Sequence, residues 1–179
     1  MVKQTAFEKN TVEFVTVAAE YCAFLEQIYD KEPSRVVDVI SKLLPLIYLK
    51  ASMLNVTEPE GLYLEETVTE PDYDAIRQSI QEKFGENDDY LEVFVEDMKY
   101  SDTPVRKCIS EDLADIYQAL KNFVNSYRGG LDEVMEEAVA VCVDGFRTYW
   151  GQVLTNTLRA VHNVRYSTDL NLEEQDIYD

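Results

Sequence analysis

The stretch LDEVMEEAVAVCVDGFRTYWGQVLTNTLRAVHNV, residues 131–164, carries one apolar face along its whole length. The residues of that face recur at steps of three and four, at Val139, Val143, Phe146, Trp150, Leu154, Thr157 and Val161. This is the period of an α-helix that packs one side against a core. The stretch therefore predicts a long C-terminal helix over 131–164, with Trp150 as a core anchor at the centre of its apolar face.

The same spacing recurs in four earlier segments. Three of them are 11–29, 33–54 and 73–84, and the fourth begins at Ser110 as a predicted N-cap and ends at Gly129 and Gly130. Pro45 lies inside the second segment and predicts a kink or a short break there. The sequence thus predicts an all-α protein, a helical bundle of about five helices with a long C-terminal helix.

Two connecting segments have other patterns. Residues 55–72 are rich in acids and hold two prolines and a glycine, which is typical of a long surface connection. Residues 90–95, YLEVFV, are β-prone and predict one strand or an extended strap against the helices. Because one strand without a partner makes no sheet, the predicted class stays all-α.

The chain has 179 residues, enough for one sizeable core. We predict a single domain over 1–165, followed by an acidic C-terminal tail, 166–179, with five acids and no base. The tail composition is typical of a disordered segment. No segment has the length and apolarity of a signal peptide or a membrane-spanning helix.

The net charge is −19, from 16 basic and 35 acidic side chains. Such a chain repels phosphate backbones and anionic lipids, so we expect neither a nucleic acid nor a membrane as partner. Three cysteines without a close pair predict no disulfide framework and favour a cytoplasmic location. Cys108 has Arg106 and Lys107 beside it, which favours a lowered thiol pKa.

Four polar residues form the candidate site. Asp112 and Asp115 are neighbours on one helix, and Asp112 leans toward its apolar face, where a carboxylate needs a partner. Arg159 and His162 on the long helix are the predicted partners, provided that the two helices lie side by side. The cluster is then either a structural ion pair or a pocket, and the sequence leaves both open.

Catalytic patterns are incomplete. The EDLAD segment, 111–115, is similar to half of the acidic motif of the all-α nucleoside triphosphate pyrophosphohydrolases, but the second half, a glutamate pair on an earlier helix, is missing. One histidine cannot supply a ferritin-like di-iron site, and the glycine-rich phosphate loops and the nucleophile elbow are absent. We predict no catalytic residue, no metal and no cofactor.

Two of these segments also carry a family resemblance. DLADIYQALKNF, 112–123, and WGQVLTNTLRAVH, 150–162, resemble a bacterial family of helical proteins known as domain of unknown function 5063. The resemblance implies a helical bundle and no established activity. Tyr149 stands where the family pattern has a histidine before the tryptophan, so the resemblance implies no two-histidine metal site here.

These observations favour a non-enzymatic protein-interaction or accessory module, whose acidic face meets a basic or neutral partner. The alternative is a metal-dependent or small-molecule activity, similar to that of a nucleotide hydrolase, built on Asp112, Asp115, Arg159 and His162. A nucleic-acid mimic is a third possibility, weakened by the position of the acids in a predicted loop. The oligomeric state is not predicted.

Overall fold

A computed structural model describes residues 4–92 and 103–167. The helices are α1 (Lys9–Glu26), α2 (Pro33–Ser52), α3 (Glu70–Phe84), α4 (Ile109–Gly129), α5 (Asp132–Gly145) and α6 (Gly151–Arg165). Short 3₁₀ turns lie at Thr5–Phe7, Ile28–Asp30 and Gly85–Asp88. Since α5 and α6 form one long helix, 132–165, the predicted all-α class and the long C-terminal helix are confirmed.

A π-helical turn, Phe146–Trp150, joins α5 to α6, and the sequence pattern did not reveal it. The wider turn closes with a hydrogen bond from the Gly151 N–H to the Phe146 carbonyl. A Cβ on Gly151 would lie 2.3 Å from that carbonyl oxygen, so only glycine fits directly after the turn. Gly151 is therefore a backbone requirement of this turn.

The apolar faces of all six helices meet in one core. Helix α4 contacts α1, α3, α5 and α6, while α2 packs on α1 and α6. Tyr48 meets the Phe146 ring at one end of α2, and Asp38 binds Arg165 at the other, so α2 and α6 run antiparallel. The largest fully buried side chains include Phe14, Tyr21, Ile40, Leu44, Leu113 and Leu120.

The predicted strand has a partner that the sequence analysis missed. Strand β1 (Asp89–Glu92) pairs antiparallel with β2 (Val105–Cys108), with Asp89 opposite Cys108. Cys108 ends β2 and directly precedes α4. The rest of the predicted strand, 93–95, lies outside the described residues, and so does the tail from 168 onward.

Three predicted helix boundaries need correction. Helix α2 continues unbroken through Pro45, which is exposed. Helix α3 begins at Glu70 instead of 73, because Thr69 and Asp72 form a capping box that starts it earlier. Ser110 is not the N-cap of α4 but lies inside its first turn, where its N–H and hydroxyl both donate to Asp88 at 2.7 Å.

Asp88, buried in the 3₁₀ turn before β1, thus supplies the negative charge that the N-terminus of α4 favours. None of the described helices combines the length and the apolarity needed to cross a bilayer.

Candidate functional site

Asp112 is buried, with 4% of its surface exposed, on the face of α4 that the sequence predicted. Its hydrogen bond comes from the hydroxyl of Tyr90 in β1. Burial raises the pKa of the Asp112 carboxyl to about 7, although the Tyr90 hydrogen bond and the charge of Lys107 act in the opposite direction. Asp112 therefore changes charge close to neutral pH.

Asp115, one turn further along α4, receives two phenol hydrogen bonds from two other elements. The Tyr73 hydroxyl of α3 donates to one carboxylate oxygen, and the Tyr149 hydroxyl of the π turn donates to the other, each at 2.6 Å. The position that the family resemblance associates with histidine thus holds a phenol that binds Asp115. We call Asp112, Asp115, Tyr73, Tyr90 and Tyr149 the tyrosine–carboxylate cluster.

Arg159 and His162 lie elsewhere. Both are exposed on α6, and the His162 ring contacts the Tyr166 ring in a tilted arrangement with ring centroids 4.7 Å apart. Within 4–92 and 103–167, neither forms an ion pair with Asp112 or Asp115. Helices α4 and α6 do pack together as expected, but Arg159 and His162 lie on the exposed side of α6. The expected acid–base pairs are therefore corrected to acid–phenol pairs.

Trp150 is 2% exposed, and its ring is stacked with Phe14 and packs at a tilt against Phe146. Its indole N–H donates to the Cys142 carbonyl at 3.2 Å, which satisfies the polar atom of an otherwise apolar ring. A Cβ on Gly145 would lie 3.2 Å from the indole, so this glycine also makes room for the ring. The tryptophan is part of the core and is not available to a ligand.

A cavity of about 250 Å³ lies beside Tyr90, between the segment 86–90 and the end of α6. None of Asp112, Asp115, Arg159 and His162 lines it. The cavity that the sequence analysis left open as an alternative is thus not formed by those four side chains at this place.

A larger cavity, of about 620 Å³, lies between the connection 57–62 and the first turns of α5. Carboxylates dominate its lining, and none of the described lining residues is basic. We call it the acidic cavity; its carboxylates are Glu58, Glu60, Asp132, Glu133, Glu136 and Glu137. Asp132 and Glu133 also lie in the first turn of α5, where the helix dipole favours negative charge.

Glu137 holds one wall of the acidic cavity in place. Its carboxylate, on a residue that is 5% exposed, accepts the backbone N–H groups of residues 60–62 at 2.8, 2.8 and 3.1 Å. Gly61 has a φ of +81°, which lets these successive N–H groups converge on one anion. The connection predicted as an irregular surface segment is therefore fastened to α5.

Glu136 is only partly satisfied. One of its carboxylate oxygens accepts the Ala6 N–H at 2.9 Å, while the other, Oε2, is buried without a hydrogen-bond partner among the described residues. A buried acceptor without a partner costs free energy that a donor from a bound molecule would recover. The sequence alone does not signal this, since Glu136 is one of many acids and its partner is 130 positions away.

Asp88, Asp89 and Cys108 form the one group of three potential metal ligands in the described part of the chain. Ser110 occupies both oxygens of Asp88, and Arg106 binds Asp89, so the group is explained as the cap of α4 and its neighbours. The Cys108 pKa is raised to about 11 by partial burial and by the hydrogen bond to Asp89, which corrects the expectation of a lowered pKa.

The fold and the cavity define a class of protein: an all-helical bundle with an acidic cavity at one end of its long helix and a buried glutamate that holds one wall of the cavity in place. The chain belongs to the family described as domain of unknown function 5063, whose profile matches residues 5–167. It is similar to the crystal structure of protein BF1032 from Bacteroides fragilis, with 47% identity over 92% of this chain and 97% of that one and a TM-score of 0.82. No curated protein matches the chain.

Proposed function

We propose that this chain is a non-enzymatic protein-interaction module that binds a basic segment of a partner protein in the acidic cavity. The observation that carries the proposal is a cavity of about 620 Å³ whose described lining holds six carboxylates and no base. A cavity of this size has room for one or two arginine or lysine side chains, and not for a folded element.

The chemistry of the lining favours a guanidinium or an ammonium group as the bound feature. Glu137 is occupied by backbone amides, so the carboxylates of Glu58, Asp132 and Glu133 at the exposed rim supply the attraction. Arginine presents several N–H donors in a fixed plane and pairs well with carboxylates in such a site. The buried oxygen of Glu136 is a further acceptor for a donor that enters deeply.

The charge of the whole chain supports the same kind of partner. A net charge of −19 attracts a basic segment over a long range and speeds its encounter with the cavity, in a manner that salt weakens. The three cysteines are free thiols, as the proposed cytoplasmic location requires.

The test is calorimetric titration with short arginine-rich and lysine-rich peptides, with glutamine-substituted peptides as the neutral reference. The variant Glu58→Gln with Glu133→Gln removes two rim charges and is expected to weaken binding strongly. Its matched control is Glu20→Gln with Glu82→Gln, two exposed acids on α1 and α3, which removes the same charge elsewhere. Equal weakening in both variants, or no binding of any basic peptide, would overturn the proposal.

A second candidate function is a small-molecule or metal-dependent activity at the tyrosine–carboxylate cluster. A carboxyl with a pKa of about 7 beside a phenol is suited to proton transfer near neutral pH. Melting curves with magnesium, manganese, zinc and a set of nucleotides test it, because a ligand that binds the folded state raises the midpoint by an amount that grows with the logarithm of its concentration relative to its Kd. The absence of a shift with all of them would remove this candidate.

A further inference from the structure

Helix α2 has a second stripe of residues on the side that faces away from the core, basic toward its N-terminal end and apolar toward its C-terminal end. The stripe follows steps of four, three, four, three and four residues and consists of Arg35, Val39, Lys42, Leu46, Leu49 and Met53. We call it the outer face of α2. Leu46, Leu49 and Met53 are 38%, 55% and 45% exposed, although the opposite side of the same helix is buried. A stripe with this spacing is typical of a helix that packs against one more segment.

The basic end of this face carries a local positive charge in a very acidic chain. Asp38 lies within 4 Å of three cationic side chains, with Lys42 at 2.9 Å, Arg165 at 3.2 Å and Arg35 at 3.8 Å. One carboxylate leaves two of the three charges uncompensated. Residues 33–54 as a whole contain three bases and one acid, whereas the rest of the chain is strongly negative.

Residues 168–179, TDLNLEEQDIYD, have the complementary chemistry. They contain five acids, no base and the apolar side chains of Leu170, Leu172, Ile177 and Tyr178. They follow Ser167, two residues after Arg165, which is itself bound to Asp38 of α2. The acidic segment therefore starts beside the basic end of the outer face.

The length of the segment is sufficient. From Asp38 to Met53 the helix rises about 22 Å. Twelve residues of extended chain span at most about 40 Å. The segment is therefore long enough to reach every residue of the outer face.

We propose that residues 168–179 dock on the outer face of α2, with Asp169 near Arg35 and Lys42 and with Leu172 and Ile177 on Leu46, Leu49 and Met53. A tethered segment binds at a high effective concentration, so weak contacts suffice. A second copy of the chain is a poorer occupant, because it would bring together two molecules that each carry a charge of −19.

The test is paramagnetic relaxation in the full chain. A nitroxide is attached at Gln175→Cys in a Cys108→Ser background, where the remaining thiols, Cys22 and Cys142, are buried. We expect a strong loss of methyl signal intensity at Leu46, Leu49 and Met53 that reduction of the nitroxide restores. The methyl groups of Leu131, which is 81% exposed and remote in sequence, should keep their intensity.

Two variant pairs test the chemistry. Leu49→Ser should remove the signal loss at Leu46 and Met53, whereas Leu131→Ser should leave it unchanged. Lys42→Glu should also reduce the signal loss, whereas Lys9→Glu, at an exposed lysine of α1, should leave the signal loss unchanged. An even, weak loss over the whole surface would overturn the proposal. A loss that persists when the nitroxide and the isotope are carried by different molecules in a mixed sample would also overturn it, in favour of a second copy.

Discussion

The tyrosine–carboxylate cluster and the acidic cavity differ in the hydrogen-bond donors that reach their carboxylates. In the cluster, Asp112 and Asp115 are covered by three phenols from α3, β1 and the π turn, so the acids hold those elements together. In the acidic cavity, backbone amides occupy Glu137, but the rim acids face open space. Acids of the same type are therefore structural where neutral donors converge on them, and are available to a partner where donors are missing.

The largest effect is expected where an acid of the cavity is itself structural. Glu137→Ala removes the acceptor of three backbone N–H groups. Because hydrogen bonds to a charged group are strong, we expect the free energy of unfolding to fall by about 3 kcal/mol. Urea unfolding measures it. Glu133→Ala, on the exposed rim of the same helix, should change the stability by about 0.5 kcal/mol or less. Equal losses of stability in the two variants would show that Glu137 in the wall and Glu133 at the rim do not differ in structural role.

The next effect concerns the turn that delivers Tyr149 to the cluster. Gly151→Ala places a methyl group 2.3 Å from the Phe146 carbonyl oxygen and is expected to cost about 2 kcal/mol through overpacking. The control is Gly129→Ala at the end of α4, where nothing lies within 4 Å of the added carbon. A neutral Gly151→Ala variant would show that the π turn is dispensable. Thermal unfolding of both variants decides the matter.

A smaller effect with a defined pH dependence is expected at Asp112. Its pKa of about 7 in the folded protein lies above the value of about 4 of an unfolded aspartate. The folded state therefore binds the extra proton between pH 4 and 7, and its stability falls as the pH rises through this range. The difference between the two pKa values of Asp112 corresponds to a change in stability of at most about 4 kcal/mol.

Asp112→Asn keeps an acceptor for Tyr90 and removes the charge. We expect a gain of about 1 kcal/mol at pH 8, which is below the maximum of about 4 kcal/mol because relaxation and water reduce it, and a gain about one third as large at pH 5. Melting curves at the two pH values measure it, with Asp144→Asn, an exposed acid of α5, as the control. A loss of stability at pH 8 would mean that the ionised carboxylate is stabilising.

The smallest effect tests the corrected pairing. Arg159→Ala and His162→Ala are each expected to change the free energy of unfolding by about 0.5 kcal/mol or less, because both side chains are exposed and away from the carboxylates. If either variant lost as much stability as a broken buried ion pair, the acid–base pairing expected from the sequence would be restored. Urea unfolding at neutral pH is sufficient.

Much of the helical architecture was predictable because burial imposes a period. The long helix 132–165, the buried faces of α1 to α4 and the burial of Asp112 follow from spacings within single segments. The π turn was not predictable, since the close approach of Gly151 to the Phe146 carbonyl and ring exists only in the folded backbone. Strand β2 was missed because four residues of mixed character show no period of their own.

The partners of the two candidate-site acids were likewise not predictable from patterns within single segments. The sequence indicated that Asp112 and Asp115 need partners, but it favoured the nearest cations over the phenols of Tyr73, Tyr90 and Tyr149. Phenols are neutral, so a charge-based argument passes over them, although a hydroxyl donor satisfies a carboxylate without a second desolvated charge. The single-domain assignment over 1–165 and the tail from 166 stay predictions.

By itself the sequence determined the helices, their inward faces, the strong negative charge and the membership of an uncharacterised helical family. Only the tertiary structure decided which acid is covered and which is open, because the donors to Asp115 and Glu137 come from 34 to 77 positions away in the chain. Helical periodicity is a local property that one segment can display. The satisfaction of a carboxylate is a property of several segments, and it exists only after they have packed.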